Sequence, residues 1–399
     1  MKDEKSLQNK TKDISNRVLL LVSLAVLMAS SVWFSGTAAV PVLKKAWILT
    51  DIQAAWLTIS VQLGFIFGTF VYALMNISDI FRASRVFFVS ALLGAVFNGF
   101  FAFFCSELNG AIIFRFLTGI FLAGIYPVGM KIVAAWFRSG LGWRLGILVG
   151  ALTMGTATPY LIGFLGGGWD WKILIAVASG LSLTGGLMIL MGVPEGPYLQ
   201  KRAKFDMRIG FRIFRERKFR LQALGYFGHM WELYAFWALS ATFLAFALEA
   251  DSGLDPRFLP LISFSIIGIG TLGCVLGGLV SRIKGERSIA LISLLVSGSM
   301  CAISWIIFSL PPVFIVVLML VWGFFVVSDS PQFSALAAIY CPPEYTGTAL
   351  TIQNGIGFGI TVISLQIIPW IAHMIGWQWA FVFLLPGPIL GALAMLKLK

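Results

Sequence analysis

Twelve apolar stretches, each long enough to cross a bilayer, divide this chain of 399 residues and restrict its fold more than any other feature. They lie at 18–42, 52–74, 86–105, 109–136, 143–165, 171–193, 220–248, 258–281, 288–309, 312–339, 345–373 and 377–396. A spanning helix needs about 20 mostly apolar residues, since the hydrocarbon layer is about 30 Å thick and each residue rises about 1.5 Å. Hydrocarbon offers no water to a peptide group, so each stretch must bond its own backbone as a helix. The ninth and tenth stretches are parted by Leu310-Pro311-Pro312, a helix stop followed by a start. Composition agrees, with 59% hydrophobic and 12% charged residues, against about 25% charged in a soluble domain. An all-α membrane protein with twelve transmembrane helices is the expected fold class. Residues 1–17 are polar, and the apolar run after them exceeds the roughly 7–15 residues of a signal-peptide core, so a retained first helix is expected.

The cations are distributed unevenly. Of 29 Lys and Arg residues, 23 fall on the two tails and the even-numbered loops. The odd-numbered loops hold four, Lys44, Lys45, Lys172 and Arg257, while Arg115 and Lys131 sit inside the fourth stretch. Basic loops stay inside, so both termini are expected in the cytoplasm of a bacterium, with the chain multi-pass in its inner membrane. The net charge of +12 then faces the anionic inner leaflet, and the bilayer rather than nucleic acid is the expected partner. Cys105, Cys274, Cys301 and Cys341 form no C-x-x-C pair, which suggests neither a disulfide framework nor a zinc site. No metal and no cofactor are expected. An ATP-binding loop, a dinucleotide motif and a soluble catalytic domain are all lacking, so neither an enzyme nor a primary pump is expected.

The longest connection, 194–219, carries Lys201, Arg202, Lys204, Arg208, Arg212, Arg215, Arg217 and Lys218. It divides the chain into a cytoplasmic tail (1–17), a six-helix bundle (18–193), a basic cytoplasmic linker (194–219) and a second six-helix bundle (220–396). Phe205 to Phe219 reads equally as an amphipathic basic helix on the membrane or as a solvated linker. Gly168-Trp169-Asp170-Trp171 before the sixth helix matches Gly376-Trp377-Gln378-Trp379 before the twelfth. Matching turns at one ordinal position point to duplication of a six-helix unit.

Several local sequences carry a family resemblance. Asn76-Ile77-Ser78-Asp79-Ile80-Phe81-Arg82-Ala83-Ser84-Arg85 is similar to the G-x-L-x-D-R-x-G-R-R loop of the major facilitator superfamily, with Met75 in place of the leading Gly. Its counterpart, Gly277-Gly278-Leu279-Val280-Ser281-Arg282-Ile283-Lys284-Gly285-Glu286-Arg287, keeps Gly, Leu and Arg and loses the Asp. Arg115-Phe116-Leu117-Thr118-Gly119 resembles the R-x-x-x-G element of the fourth helix, and Pro342-Pro343-Glu344-Tyr345-Thr346-Gly347-Thr348-Ala349 the start of the eleventh. The resemblance covers nearly the whole chain and runs loosely toward nitrate-porter-like and cyanate-like permeases. Nitrate and oxalate–formate carriers place a cavity Arg on the second or eighth helix, where this chain has Gln62 and Ser263, Ser265 and Thr271. The Gly-Pro pair of drug antiporters is incomplete, since Gly155 is followed by Thr158-Pro159.

The resemblance implies a central cavity lined by the first, fourth, seventh and tenth helices. Buried charge, which costs about 2.5–3.5 kcal/mol per residue on insertion scales, is confined to three of these: Arg115 and Lys131, His229 and Glu232, and Asp329. His229 and Glu232 are three residues apart and so adjacent on one helical face. Glu232 lies ~18 Å from the cytoplasmic end of its helix and Asp329 ~15 Å from that of its own, one layer of the cavity. Proton coupling through Glu232, assisted by Asp329 or His229, is the leading expectation; a structural polar cluster and a cation site are its alternatives. Arg115 has three readings: partner of a cavity carboxylate, binder of an anionic solute, or structural residue beside Gly119. Lys131, ~9 Å from its helix end, is expected to snorkel. Pro127, after Tyr126, is expected to kink the fourth helix.

By the same resemblance Asp79, Arg82, Arg85 and Arg282 form a cytoplasmic gate, with the Asp79 carboxylate against the start of the eleventh helix. Solute-contacting candidates are Arg115, Trp33, Phe34, Gln62, Tyr126, Thr153, Tyr160, Trp231, Tyr234, Trp237, Gln332, Gln353 and Asn354. Gly64-x3-Gly68, Gly146-x3-Gly150 and Gly273-x3-Gly277 are expected to permit close helix packing. The function expected is secondary active transport of a small polar or ionic organic solute with protons, by alternating access in a monomer. A drug or metabolite efflux antiporter and a non-transporting membrane sensor of the same fold are the rivals.

Overall fold

A computed structural model describes residues 2–137, 141–167, 169–198, 208, 212–248, 255–342 and 345–398. Its twelve membrane-length helical spans are α1 (Asp13–Ser30), α2 (Asp51–Leu74), α3 (Ala83–Phe104), α4 (Leu108–Trp136), α5 (Gly142–Leu165), α6 (Trp171–Gly192), α7 (Arg217–Ala247), α8 (Pro256–Lys284), α9 (Glu286–Ile307), α10 (Pro312–Ile339), α11 (Thr346–Ile375) and α12 (Trp377–Lys397). Several start where the sequence supplies a cap. Thr50 and Gln53 bond reciprocally as a capping box ahead of α2, and the Asp170 side chain accepts from the amide of Lys172 at α6. Gly376 turns α11 into α12 at φ 91°, a conformation that favours glycine, which accounts for the glycine in that Gly-Trp-Gln-Trp run. Gly168, its counterpart, lies outside the described residues, as do 199–207 and 209–211 of the connection 194–219, so the amphipathic reading of 205–219 is described only in part, from Arg212 into the start of α7 at Arg217.

The first span departs from the sequence reading. Instead of one helix over 18–42, the chain is helical from Lys2 to Ser30, unwinds through Phe34, and resumes as short helices at Ser35–Ala38 and Val40–Trp47. The freed carbonyls find partners elsewhere. The Ser31 hydroxyl donates to Met28 O (2.7 Å) and lies 3.0 Å from Ala178 O on α6, while Arg115 collects others. Two cavity helices are also interrupted. α4 consists of Leu108–Leu122 and Tyr126–Trp136, with Pro127 in the first turn of the second segment. α10 consists of Pro312–Ser328 and Ser330–Ile339, with Asp329 between them and Pro331 just after. Proline fits a first turn because that N–H has no helical partner to lose.

Glycines set the helix contacts. A Cβ on Gly64 would stand 2.0 Å from Phe116 O, and one on Gly119 2.2 Å from Val61 O, so α2 and α4 touch backbone to backbone. Gly273 and Gly323 do the same between α8 and α10, at 2.3 Å from Phe324 O and 1.9 Å from Ile266 O. Gly185 brings α6 to α1, and Gly228 and Gly387 bring α7 to α12. Each contact recurs six helices later. The first six helices meet the last six where α5 lies on α8 and α2 on α11. There a Cβ on Gly146 would reach Cys274 O at 2.9 Å, and the Thr271 hydroxyl donates to Gly150 O at 2.9 Å. Gly64→Ala is therefore expected to lower the melting temperature in detergent, by an overpacking cost of about 1–3 kcal/mol or more. Gly99→Ala, where a Cβ meets nothing within 4 Å, is the matched control and should not destabilise.

Candidate functional site

Among the described residues, two chambers lie between the first six and the last six helices. The inner one, about 50 Å³, is lined from α1, α2, α4, α5, α7, α10 and α11. Trp33, Tyr126, Thr153, Tyr234, Trp237 and Asn354 reach it as expected. So do residues the sequence reading missed, among them Phe65, Tyr226, Ser330, Ser334 and Phe358. Several continue stripes already begun: Leu350 and Phe358 flank Asn354 at four-residue spacing, and Tyr226, Met230 and Leu233 lead up to Trp237. The outer chamber, about 170 Å³, opens toward the membrane face opposite the two termini, and Thr37, Thr58, Tyr160, Ala241, Ser263 and Leu365 help line it.

Six aromatic rings mark the boundary between the chambers. Trp33 packs on Phe65 (4.8 Å between centroids), Tyr234 (5.8 Å) and Phe358 (5.8 Å). Phe65 meets Phe358 at 4.5 Å, and Phe34 meets Tyr234 at 6.3 Å and Trp237 at 6.2 Å. Along α2 and α11 the ring residues line the inner chamber and residues a turn or more toward the far face line the outer one, while on α7 Trp237 lines the inner chamber and Ala238, next to it, the outer. Polar atoms in this region lack partners. The indole N–H groups of Trp33 and Trp237, both ends of the Gln62 amide and the Tyr160 hydroxyl are buried without a hydrogen bond. A buried unsatisfied group costs about 1–3 kcal/mol and needs a reason, such as a partner that comes and goes.

Arg115 does not reach either chamber. Its guanidinium is fully buried among α1, α2 and α3. Nε donates to Leu57 O (3.3 Å), Nη1 to Val32 O (2.8 Å) and Asn98 Oδ1 (2.8 Å), and Nη2 to Trp33 O. The expected carboxylate partner or anionic solute is replaced by peptide carbonyls, because the unwound end of α1 presents several unbonded ones to a positive charge. Arg115 thus fixes the turn from which Trp33 and Phe34 project.

The carboxylates also separate. His229 Nδ1 stands 2.8 Å from Asp329 Oδ1, a contact joining α7 to the interruption of α10. Met230 and Ser330, their chain neighbours, line the inner chamber. Glu232 instead faces α9 and α10, where it accepts from Trp322 Nε1 (2.6 Å), Ser297 Oγ (2.9 Å) and Cys301 Sγ (3.4 Å). Glu232 and Asp329 therefore take different partners, and neither is among the lining residues of the inner chamber. Residues three apart diverge by about 60° around a helix, and α7 is buried on nearly every side, so each finds a different neighbour. Among the described residues no three His, Cys, Asp or Glu side chains gather as a metal site.

Three further solute candidates are spent on packing. The Trp231 indole donates to Phe383 O on α12 (3.2 Å), Gln353 accepts from Gln222 Nε2 on α7 (2.7 Å), and Gln332 donates to Ser328 O (3.2 Å). At the terminal face, the Asp79 side chain lies outside the described residues. Arg82 reaches Glu195 (3.3 Å) beyond α6 rather than α11, and Arg85 and Arg282 are exposed.

Known proteins share this architecture. The sequence profile of the Major Facilitator Superfamily matches residues 21–365. Niacin transporter NiaP of Acinetobacter baylyi (strain ATCC 33305 / BD413 / ADP1) is 29% identical over 177 residues, which are 41% of this chain and 37% of that protein. The chain thus spans well under half the length of that relative. Among solved structures, the proton:xylose symporter XylE bound to 6-bromo-6-deoxy-D-glucose superposes with a TM-score of 0.76 at 14% identity, covering 98% of this chain and 97% of that one. A point mutant of the nucleoside transporter NupG gives 0.72 at 13% identity, covering 96% and 99%. At such identities these structures establish the fold alone.

Proposed function

Because the chain belongs to the Major Facilitator Superfamily, we propose that it carries a small polar organic solute across the bacterial inner membrane by alternating access, coupled to protons. The observation that carries this reading is the inner chamber. It is built from both sets of six helices, walled by aromatic rings, and edged by the unpartnered indole N–H groups of Trp33 and Trp237. Indoles only donate, so the solute brings acceptors to that edge, and the rings favour a flat body. The partial likeness to a niacin transporter is consistent with a compact ring solute. No charged side chain is among the chamber's lining residues, which argues for weak charge on the solute as bound.

The two halves, about 18–193 and 220–396, rock on the α2–α11 and α5–α8 contacts, with both termini on the basic, cytoplasmic side. The unwound segments of α1, α4 and α10 lie beside the chamber, where irregular backbone is tolerated in a membrane protein. The His229–Asp329 contact is the proton-carrying element in this reading, since the His229 ring packs on Tyr226 of the chamber wall, 6.0 Å between centroids.

A thermal-shift screen of small ring compounds, niacin included, on the purified full-length protein would choose a solute for uptake in proteoliposomes. Trp33→Phe keeps the ring and removes the donor, and KM for that solute should rise about tenfold, the scale of one lost buried hydrogen bond. Absence of uptake and of counterflow for every compound that binds would sink the transport reading.

A further inference from the structure

The outer chamber has features of a site in its own right. It shares no lining residue with the inner chamber, and the ring layer separates the two. Its volume, about 170 Å³, compares with the roughly 150 Å³ of an apolar cavity known to admit benzene. The inner chamber, about 50 Å³, is too small for such a body in this conformation. Most of the outer wall is aliphatic: Ala54, Ala238, Leu239, Ala241, Leu259 and Leu365. Among its polar lining side chains one is buried without a partner. Tyr160 is 4% exposed, and its hydroxyl has no hydrogen-bond partner. Thr37 and Thr58, by contrast, bond to each other at 2.7 Å. Asp51, the carboxylate at the chamber, is already paired with Lys44.

We propose that the outer chamber is a separate binding site for a compact, uncharged, single-ring organic molecule with one hydrogen-bonding group, which engages the Tyr160 hydroxyl. Size selects a single ring, because the chamber matches a benzene-sized body and little more. The aliphatic wall selects an apolar face. The paired Asp51 leaves no net charge to balance, so an ionised ligand would lose its hydration without a counter-charge. No protein group satisfies the buried phenol, so a ligand's hydrogen-bonding group can serve as its partner. Resting on the transport reading above, this site is the station a solute occupies on the far face before the ring layer opens.

The test uses 4-fluorobenzyl alcohol as probe, followed by fluorine NMR with the full-length protein in micelles against protein-free micelles. Wild type should show saturable binding. Tyr160→Phe keeps the shape and removes the hydroxyl, and should weaken binding about fivefold. Ala241→Phe fills the chamber from α7 and should abolish it. Asn354→Ala, in the inner chamber, should leave it unchanged. Wild-type affinity in Tyr160→Phe overturns the role of the hydroxyl. Binding that survives Ala241→Phe, is lost in Asn354→Ala, or never saturates overturns the site. If no solute crosses proteoliposomes while this binding stands, the transport reading fails and the site survives; uptake without probe binding means the reverse.

Discussion

Arg115→Leu is expected to cost several kcal/mol of stability and to abolish uptake, although Arg115 touches neither chamber. Its donors bond three peptide carbonyls, Leu57, Val32 and Trp33, together with Asn98, whose own amide continues to Ser179 on α6 at 3.0 Å. One side chain therefore ties four helices, α1, α2, α3 and α6, at the point where α1 unwinds. Leucine would take the guanidinium from all four acceptors and leave Val32 O and Asn98 Oδ1 with the Ser35 hydroxyl as their remaining side-chain donor. Each buried acceptor left without a partner costs about 1–3 kcal/mol. Arg115→Lys keeps the charge without the planar fork and should fall between wild type and Arg115→Leu. Thermal melting in detergent measures the stability, and proteoliposome uptake the function. A wild-type melting temperature for Arg115→Leu would show that the α1 turn holds without the guanidinium. The two losses are linked, because the same turn carries Trp33 and Phe34 into the ring layer.

Asp329→Asn is expected to separate coupling from transport. The amide has the shape of the carboxylate and cannot take up or release a proton, so the contact with His229 Nδ1 can no longer exchange one. Uptake driven by an imposed pH gradient should fall to the level that the solute gradient alone sustains. Counterflow, which exchanges solute for solute with no net proton movement, should persist. Glu232→Gln is the comparison. Glu232 meets Trp322, Ser297 and Cys301 away from the chamber, and its amide should preserve pH-driven uptake. Loss of pH-driven uptake in Glu232→Gln with none in Asp329→Asn would transfer the proton site to Glu232.

The residues that sequence reasoning located well are those whose chemistry has few alternatives. Pro127 predicted an interruption of the fourth helix, and α4 breaks at that point. The spaced glycines predicted close packing, and Gly64, Gly146 and Gly273 each approach a neighbouring backbone. Trp33, Tyr126, Tyr234 and Asn354 do line the inner chamber. Tyr160, placed beside them in the sequence reading, lines the outer one instead. Trp231, Gln332 and Gln353 have the same character as the chamber-lining candidates but are bonded into helix contacts.

The sequence by itself determined the number of spans, nearly all of their ends, and the family. Those properties depend on length, hydropathy and loop charge, which the bilayer reads one segment at a time. Only the tertiary structure decided which way each polar side chain faces, and therefore that Arg115 braces a turn, that Glu232 turns from the cavity, and that the pathway has two chambers. The physical reason is that lipid and protein interior are both apolar. A membrane helix is hydrophobic around its whole circumference, so it lacks the polar stripe that in a soluble helix would show its inward face. Orientation then follows from glycine contacts and hydrogen-bond partners supplied by distant segments, and these exist only once the twelve helices have packed.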